Sequence, residues 1–245
     1  MMNARTVIVT GAASPIGKNI ARRFYATGSR VFLSDVNGAE LESLEKEMPE
    51  ARVLVGDLSE ESNAREMVAQ AVDAFGSVDI LVNNAGGGVI RPFLEHDAES
   101  LKATINRNLW TTIWCSHAAL PLMVANQWGR IINIGADSVR NGLWEHAGYN
   151  AAKGGVHGLT TGLAREFATS GITINTVAPC MVSTPMVERG LETKDPFITQ
   201  FNEVIPMGRP AQLDEVSSMV AYLASEDAGF VTGQVISVNG GSTML

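Results

Sequence analysis

Tyr149 and Lys153 are the residues of this 245-residue chain whose types and spacing most directly suggest chemistry. Four positions on a helix make about one turn, so the phenol and the ammonium would share one face. A free tyrosine is a poor base at neutral pH because its pKa is near 10. A lysine beside it favours the phenolate, a general base suited to taking the proton of a hydroxyl group. The pair predicts proton abstraction from an alcohol if the rest of the chain builds a site around it.

A glycine-containing loop, Gly11 to Gly17, follows the first predicted strand and opens a predicted helix. Small residues there let the backbone turn tightly and bring its N–H groups to a pyrophosphate at the helix N-terminus. The next predicted strand ends in Asp35, roughly 20 residues beyond the loop, as in dinucleotide-binding folds. A carboxylate there accepts hydrogen bonds from both adenosine ribose hydroxyls and repels a 2′-phosphate, and no Lys or Arg follows in 36–38. The sequence therefore predicts NAD rather than NADP as cofactor.

Further motifs follow in order along the chain. They are Asp57-Leu58 after the third predicted strand, Asn83-Asn84-Ala85-Gly86 after the fourth, Asn108, the Tyr149 and Lys153 pair, Pro179 and Thr184 in the segment 178–185, and the ending Thr232-Gly233-Gln234-Val235 to Asn239-Gly240-Gly241. With the glycine-containing loop, these motifs make the chain resemble the short-chain dehydrogenase/reductase family over essentially its whole length. The resemblance implies an oxidoreductase that transfers hydride between a secondary alcohol or ketone and nicotinamide.

The resemblance also implies which residues bind the cofactor. They are Gly11, Ser14, Pro15, Ile16, Gly17, Asp35, Asp57, Leu58, Asn84, Ala85, Gly86, Tyr149, Lys153, Pro179, Val182 and Thr184. In such a family Asp57 and Leu58 bracket the adenine, and the segment 179–184 meets the nicotinamide carboxamide. Two glycines that the family pattern leads us to expect are absent, since Pro15 and Cys180 stand in their places. A proline is tolerated at a first helical position, but it removes one possible N–H donor to phosphate.

The implied reaction gives roles to the residues around Tyr149. The Tyr149 phenolate would remove the hydroxyl proton while hydride leaves the same carbon for the nicotinamide. Lys153 would lower the pKa of that phenol and hydrogen-bond the nicotinamide ribose. Asn108 would hold a water that links Lys153 to solvent. Two alternatives stay open, because Asn106 competes for this role and Asn108 could instead simply bend its helix.

The catalytic serine of the family is the point at which this chain departs from the pattern. That serine follows the fifth predicted strand, and Ala136 stands at the expected spacing before Tyr149. The nearest hydroxyl belongs to Ser138, two residues later, and we predict that Ser138 takes the catalytic role. The alternatives are that Asp137 or a water substitutes for the serine, or that Ser138 is only a loop hydroxyl.

Composition and patterning predict one α/β domain spanning 1–245. The chain is 45% hydrophobic and alternates short apolar strands with helices, which is typical of a Rossmann-type doubly wound parallel sheet. About seven strands are predicted, near 6–9, 30–34, 52–56, 80–83, 130–134, 173–177 and 235–238. The segment of about 182–210 carries four prolines and is predicted to be irregular. We expect it to form a lid over the active site, the alternative being a disordered surface excursion.

Two long predicted helices suggest a subunit interface. The first, about 100–126, is strongly apolar, and the second, about 147–169, carries Gly154, Gly155, Gly158 and Gly162, which invite close packing of another helix. Together with the resemblance they predict a homotetramer. The alternative is that both helices only pack on their own sheet.

Charge and cysteine content narrow the range of partners. The net charge is −8 without a basic run, which argues against nucleic acid and anionic membranes. No apolar stretch approaches the ~20 residues of a membrane span, and a predicted strand begins almost at once, so a cytoplasmic protein is expected. Cys115 and Cys180 match no disulfide framework and no metal motif, so no metal is expected.

The segments 84–88, 109–119 and 149–155 are similar to those of bacterial cis-dihydrodiol dehydrogenases. This resemblance implies oxidation of cis-dihydroxycyclohexadienes, including carboxylated ones, in aromatic-compound degradation, where rearomatisation favours oxidation. Trp144 could then contact the substrate ring and His146 a hydroxyl, while Arg91 or Arg140 could pair with a carboxylate. Each of these four residues also has an ordinary surface interpretation.

Three other functions stay open. A 3-oxoacyl thioester reductase would share the fold, but Asp35 and the net charge of −8 count against NADPH and an acidic carrier protein. A dehydrogenase of saturated cyclic alcohols or hydroxy acids would carry the same motifs. Ala136 suggests a non-catalytic NAD(H)-binding protein, whereas the intact Tyr149 and Lys153 count against one.

Overall fold

A parallel β-sheet of seven strands forms the centre of the protein. The computed structural model describes residues 5–244, and its strands are β1 (Thr6–Thr10), β2 (Arg30–Asp35), β3 (Arg52–Val55), β4 (Ile80–Asn83), β5 (Gly129–Ile134), β6 (Ile172–Pro179) and β7 (Val235–Val238). Their order is β3-β2-β1-β4-β5-β6-β7, and each neighbouring pair is parallel. The predicted doubly wound α/β fold is confirmed.

Helices cover both faces of this sheet. They are α1 (Pro15–Ala26), α2 (Gly38–Glu47), α3 (Glu61–Phe75), α4 (Ala98–Ile105), α5 (Thr111–Asn126), α6 (Ser138–Asn141), α7 (Ala147–Phe167), α8 (Pro185–Glu192), α9 (Pro196–Glu203) and α10 (Leu213–Ala224). Side chains alternate along β1, so Val7 and Val9 join the core under α1, α2 and α10, whereas Ile8 joins the core under α3, α5 and α7. Apolar residues on both faces are what a central parallel strand requires.

The strand order reverses at β1, because β2 lies on one side of it and β4 on the other. The loops that leave the carboxyl ends of β1 and β4 therefore border a crevice. In open α/β sheets, ligands bind in the crevice at such a point. The fold thus brings the glycine-containing loop and the Asn84 motif to the same edge of the sheet.

The helix predicted over 100–126 is interrupted, which corrects the sequence-based prediction. Between α4 and α5 the backbone forms a π-helical turn at Asn106–Trp110. The buried Asn108 side chain donates to the Thr104 carbonyl at 2.8 Å, and the Asn108 carbonyl accepts from the Thr112 hydroxyl at 2.7 Å. Side-chain bonds of this kind compete with the helical ladder. Single π-turns are frequent at functional sites.

The segment 182–210 was predicted to be irregular, and this was wrong, because α8 and α9 lie within it. Pro185 and Pro196 stand in the first turns of these helices, where the missing N–H has no intrahelical partner. Thr184 and Asp195 precede them as N-caps, and their side chains accept from backbone N–H groups of the first turn. Two of the prolines that suggested irregular structure therefore mark helix starts.

Other features concern membranes, thiols and metals. Within residues 5–244, no helix combines the length and the apolarity needed to cross a membrane. Cys115 and Cys180 are free thiols, and burial raises the pKa of Cys115 to about 12. The same range contains no group of three His, Cys, Asp or Glu side chains placed to hold a metal ion.

Ile8 lies in the middle of β1 and is fully buried. We expect Ile8→Ala to lower the free energy of unfolding by about 2–5 kcal/mol, because it leaves a cavity beneath the strand that carries the glycine-containing loop. Urea unfolding followed by circular dichroism measures the change. Val55→Ala is the control, since Val55 on β3 is 55% exposed and its loss should stay near 0.5 kcal/mol. Equal losses in the two variants would contradict this description of the core.

Candidate active site

The backbone after β1 turns under tight steric limits. Gly11 has a φ of +61°, and a Cβ on it would lie 2.7 Å from the Cα of Ala85. A Cβ on Gly17 would lie 2.2 Å from the Gly11 carbonyl oxygen. Helix α1 begins at Pro15, and the side chain of Ser14, its N-cap, accepts from the Gly17 N–H at 3.1 Å. The two glycines therefore let the first loop, the α1 N-terminus and the β4 loop meet.

Asn84 ties the loops after β1 and β4 together. Its side-chain amide lies within hydrogen-bonding distance of the Thr10 and Gly11 carbonyls, at 3.1 and 2.9 Å, and of Ser14 Oγ, at 3.1 Å. In return, Thr10 Oγ1 accepts from the N–H groups of Asn84 and Ala85, each at 3.0 Å. Side-chain bonds thus hold the shape of the crevice at the point where the strand order reverses.

Asp35 places a carboxylate at the end of β2. One oxygen accepts from the Ala13 N–H and the other from the Asn37 N–H, each at 3.0 Å. The carboxylate borders a cleft of about 490 Å³, called the first cleft here. This cleft is lined by Gly11, Ala13, Ser14, Asp35, Val36, Asn37, Gly56, Asp57, Leu58, Asn84, Ala85, Gly86, Arg107 and Thr111.

The residues of the first cleft fit NAD. The small-residue loop and the α1 N-terminus offer backbone N–H groups to a pyrophosphate, and the Asp35 carboxylate suits two ribose hydroxyls. Asp57 and Leu58 lie in the lining, as predicted. Arg107 and Thr111 line the cleft as well, and the sequence motifs did not identify them. The one available signal was their position beside Asn108.

Pro15 and Cys180, which replace expected glycines, cause no backbone strain, since neither has a positive φ.

A second cleft of about 360 Å³ continues from the β4 loop, where Gly86 borders the first cleft and Gly87 the second. Its walls are mainly apolar, and its polar side chains are those of Ser138, Asn141, His146, Tyr149 and Cys180. Pro179, Val182 and Ile16 also line it, whereas Thr184 does not and instead caps α8. Most of the predicted site residues therefore meet in two adjoining clefts.

Tyr149 and Lys153 lie one turn apart on α7. The Lys153 ammonium is 5.8 Å from the centre of the Tyr149 ring and donates to the Ile134 carbonyl, at the end of β5, at 2.8 Å. Burial raises the pKa of Tyr149 to about 12 and lowers the pKa of Lys153 to about 8. The prediction is that Lys153 and an oxidised nicotinamide together lower this phenol pKa, and it stays a prediction.

Asn108 and Lys153 both lie close to the backbone of Gly86. The Asn108 side chain donates to the Gly87 carbonyl at 2.8 Å and accepts from the Gly87 N–H at 3.2 Å. A Cβ on Gly86 would lie 2.6 Å from Asn108 Oδ1 and 3.2 Å from Lys153 Nζ, so only a glycine fits there. Asn106 is exposed, whereas Asn108 is buried beside this loop. The water relay through Asn108 stays a prediction.

The residues after β5 point in different directions. Ala136 lines the second cleft and carries no hydroxyl. Asp137 is fully buried, and its carboxylate accepts hydrogen bonds from four side chains in 237–243, so it is not available in the cleft. Ser138 is buried and lines the cleft together with Tyr149. It remains the predicted serine.

Of the four predicted substrate residues, His146 lines the second cleft, where its ring lies edge-on to that of Tyr149 at 6.0 Å. Trp144 is 55% exposed, and its carbonyl rather than its indole reaches the site, 2.6 Å from His146 Nδ1. Arg140 donates to a side chain and a backbone carbonyl of β7, so the structure directs it away from any substrate carboxylate. Arg91 follows Ile90, which belongs to the cleft lining.

The state of Tyr149 should depend on the charge of the bound cofactor. Because burial raises its pKa to about 12, the phenol should ionise only at the alkaline end of a titration of the protein alone. We expect NAD to move this midpoint to lower pH, since its nicotinamide is cationic, and NADH to move it much less. The measurement is tyrosinate absorbance, taken as the difference between the protein and Tyr149→Phe. Equal midpoints with NAD and NADH would contradict this electrostatic account.

Asp35 should set the choice between NAD and NADP. We expect Asp35→Ser to weaken NADH binding by about 10–100-fold, since a hydrogen bond to a charged group contributes about 1.5–3 kcal/mol. NADPH binding should improve, because the charge that opposes a 2′-phosphate is gone. Fluorescence titration with both cofactors measures the two affinities, and Asp73→Ser, at an exposed position of α3, is the control. An unchanged NADH to NADPH ratio would rule out this role.

Comparison with known proteins shows which family the chain belongs to. A family model described as enoyl-(acyl carrier protein) reductase matches residues 11–243. The 2,3-dihydroxy-2,3-dihydro-p-cumate dehydrogenase of Pseudomonas putida is 57% identical over 100% of this chain and 96% of its own length. The (2S)-[(R)-hydroxy(phenyl)methyl]succinyl-CoA dehydrogenase subunit BbsD of Thauera aromatica is 38% identical over 98% of this chain and 97% of its own length. The 2-dehydro-3-deoxy-L-rhamnonate dehydrogenase (NAD(+)) of a Sphingomonas species is 32% identical, over 98% and 95%. The chain thus belongs to the short-chain dehydrogenase/reductase family, and it is an oxidoreductase with NAD as its cofactor.

Proposed function

We propose that the protein oxidises a cis-dihydrodiol of a six-membered carbocycle to a catechol in aromatic-compound degradation, with NAD as acceptor. One observation carries the proposal: the Tyr149 and His146 rings lie edge to face in a cleft with mainly apolar walls. Two adjacent polar ring groups suit the two neighbouring hydroxyls of a diol, and the apolar walls suit its ring. The Pseudomonas putida relative, which is named for a dihydroxy-dihydro compound, supports the same substrate class.

His146 offers a hydrogen-bond acceptor to the second hydroxyl. Its Nδ1 lies 2.6 Å from the Trp144 carbonyl oxygen, which can only accept, so Nδ1 carries the proton. In the neutral ring Nε2 is then the acceptor. Phe201 of α9 packs edge-on against the imidazole at 5.2 Å and limits its movement. A diol held by Tyr149 through one hydroxyl can donate to His146 through the other.

Helices α8 and α9 supply the outer wall of the second cleft. Their lining side chains are Met186, Val187, Phe197, Ile198 and Phe201. A Cβ on Gly190 would lie 2.7 Å from Ile198 Cγ1, so the two helices pack closely on one another. We retain the proposal that segment 182–210 is a lid, because an apolar cover excludes water from Tyr149 and strengthens electrostatic interactions there.

Tyr149 performs the proton transfer of this mechanism. NAD, when bound, supplies the hydride acceptor and a positive charge. The Tyr149 phenolate takes the proton of one substrate hydroxyl, and the Lys153 ammonium stabilises the phenolate. Ser138 holds the same substrate oxygen from the cleft wall. Lys153 and Asn108 both lie against Gly86. The proton returns to solvent from Tyr149 through Lys153 and a water held by Asn108.

Arg91 is proposed to recognise a carboxylate on the substrate ring. It directly follows Ile90, which lines the second cleft. A guanidinium suits bidentate pairing with a carboxylate.

We propose that residues 1–245 act as one domain, in a homotetramer and in the cytoplasm. The described strands all share one sheet, which supports a single domain. Trp110 and Trp114 stack at 5.1 Å at the start of α5, and Trp110 is 41% exposed, which supports an interface there. Free Cys115 and Cys180 suit a reducing compartment.

The test of the proposed function is NADH formation from a panel of alcohols. The panel contains a cis-dihydrodiol with a ring carboxylate, one without it, a saturated cyclic diol and an acyclic diol. We expect the highest kcat/KM for the carboxylated dihydrodiol with NAD, and a loss of about 10²–10⁴-fold in Tyr149→Phe. Arg91→Gln should raise KM for the carboxylated substrate alone, whereas Arg65→Gln, on the exposed face of α3, should leave it unchanged.

Other outcomes point to the remaining functions. Faster reduction of a 3-oxoacyl thioester with NADPH would replace the dihydrodiol proposal by the reductase. A preference for the saturated cyclic diol would indicate an ordinary alcohol dehydrogenase. Tight NADH binding with no turnover of any alcohol or ketone would indicate a non-catalytic protein.

A further inference from the structure

Ser138 and Asn150 form a hydrogen-bonded pair beside the second cleft. Ser138 is 5% exposed, and its Oγ donates to Asn150 Oδ1 at 2.6 Å. Asn150 directly follows Tyr149 on α7, so one helix sets both the base and the partner of the serine. We propose that Asn150 is a positioning residue, which orients Ser138 to hold the reacting oxygen in place of the serine that position 136 lacks. This inference rests on the proposed function, because it concerns the same reaction.

Position 136 carries an alanine and therefore supplies no hydroxyl. The end of β5 is packed tightly against α7, so a small shift of the backbone cannot bring another residue into this position. A Cβ on Gly135 would lie 2.4 Å from His157 Nε2, and the Ala136 N–H points to that nitrogen at 3.5 Å. His157 is neutral, since burial, together with the charges of Arg140 and Lys153, lowers its pKa to about 4. Its Nε2 can therefore accept from the backbone. Ala136 presents only a methyl group to the cleft.

Asp137 anchors the turn from which Ser138 emerges. The buried Asp137 carboxylate accepts from Ser237 Oγ at 2.8 Å, Asn239 Nδ2 at 3.1 Å and Thr243 Oγ1 at 3.0 Å, and also from the Ser242 hydroxyl. Its N–H donates to the Pro179 carbonyl at 2.9 Å. With Asp137 held on the side of the C-terminal segment, α6 begins at the next residue, and Ser138 lies on the cleft wall. The anchor and Asn150 thus hold the serine from two sides.

The direction of the Ser138–Asn150 bond sets the chemistry of the serine. A side-chain carbonyl oxygen only accepts, so the Ser138 hydroxyl donates to Asn150 in this structure. The substrate hydroxyl gives its single proton to Tyr149, so it has none left to donate to Ser138. Ser138 therefore holds the reacting oxygen by turning its own hydroxyl from Asn150 to that oxygen, and Asn150 keeps Ser138 Oγ on the cleft wall until the substrate binds.

The first test is a double-mutant cycle on kcat for the alcohol that the protein oxidises fastest. Ser138→Ala should lower kcat by about 10²–10³-fold, as loss of one group that binds the reacting oxygen does. Asn150→Leu should lower kcat by roughly tenfold or more, and the double variant should be no worse than Ser138→Ala, because the two residues act as a unit. NADH affinity should stay unchanged in all three, since neither residue lines the first cleft.

Ala136→Ser supplies the rescue. In the Ser138→Ala background, Ala136→Ser returns a hydroxyl to the cleft wall. We expect kcat to rise at least about tenfold above that of Ser138→Ala, with no need for Asn150 to orient the new hydroxyl. Asn126→Leu, at an exposed end of α5, is the matched control. Multiplicative losses in the double variant, or a normal kcat in Ser138→Ala, would overturn the proposal. Asn150→Ala replaces Asn150→Leu if the bulkier variant does not bind NADH.

Crystal structures of the protein and of the folded Asn150 variant test the positioning without turnover. We expect Ser138 Oγ to leave its place on the cleft wall in the variant while Tyr149 stays in position. An unmoved Ser138 would overturn the inference. If the unmodified protein binds NADH but oxidises no alcohol, the proposed function fails, and the two structures still decide whether Asn150 orients Ser138.

Discussion

The site depends on the cost of burying a phenol and an ammonium side by side. Burial raises the pKa of Tyr149 to about 12 and lowers the pKa of Lys153 to about 8, because a poorly hydrated position disfavours the charged form of each group. The protein alone therefore holds Tyr149 as a neutral phenol. With Tyr149 as the proposed base, a cationic nicotinamide beside it would favour the phenolate, and the uncharged reduced ring would not. The proposed base would then be strongest when the oxidised cofactor is bound.

The sheet edge provides what this buried pair requires. Lys153 donates to the Ile134 carbonyl, the last of β5, so part of the cost of burying its charge is offset by a backbone acceptor. The absence of a side chain on Gly86 lets Lys153 and Asn108 lie close to the loop after β4. Asn108 lies in the π-turn at Asn106–Trp110, and its side chain bonds both the N–H and the carbonyl of Gly87.

The sequence predicts the features of this protein that depend on local pattern. Short apolar runs locate the seven strands, and the Gly11 loop with Asp35 locates the cofactor edge, because a buried parallel strand and a tight turn are each determined by a few neighbouring residues. The sequence does not predict features that depend on long-range partners. The break at Asn108 requires knowing that its side chain turns to Gly87, and Arg140 is drawn to β7 by acceptors almost a hundred residues away in the chain. Pro185 and Pro196 can break a helix or start one, and the caps that decide between these outcomes are formed only in the fold.

The serine shows why spacing alone cannot assign a catalytic group. Three consecutive residues after β5 face three environments: Ala136 the cleft, Asp137 the C-terminal segment, and Ser138 the cleft wall beside Asn150. Only Ser138 carries a hydroxyl, and its neighbour Asp137 is anchored by residues about a hundred positions later. The short helix that begins after this anchor leaves the Ser138 hydroxyl on the cleft wall, two residues beyond the usual position. The C-terminal segment, which is remote in sequence from Tyr149, thus belongs to the contacts that place Ser138 on that wall.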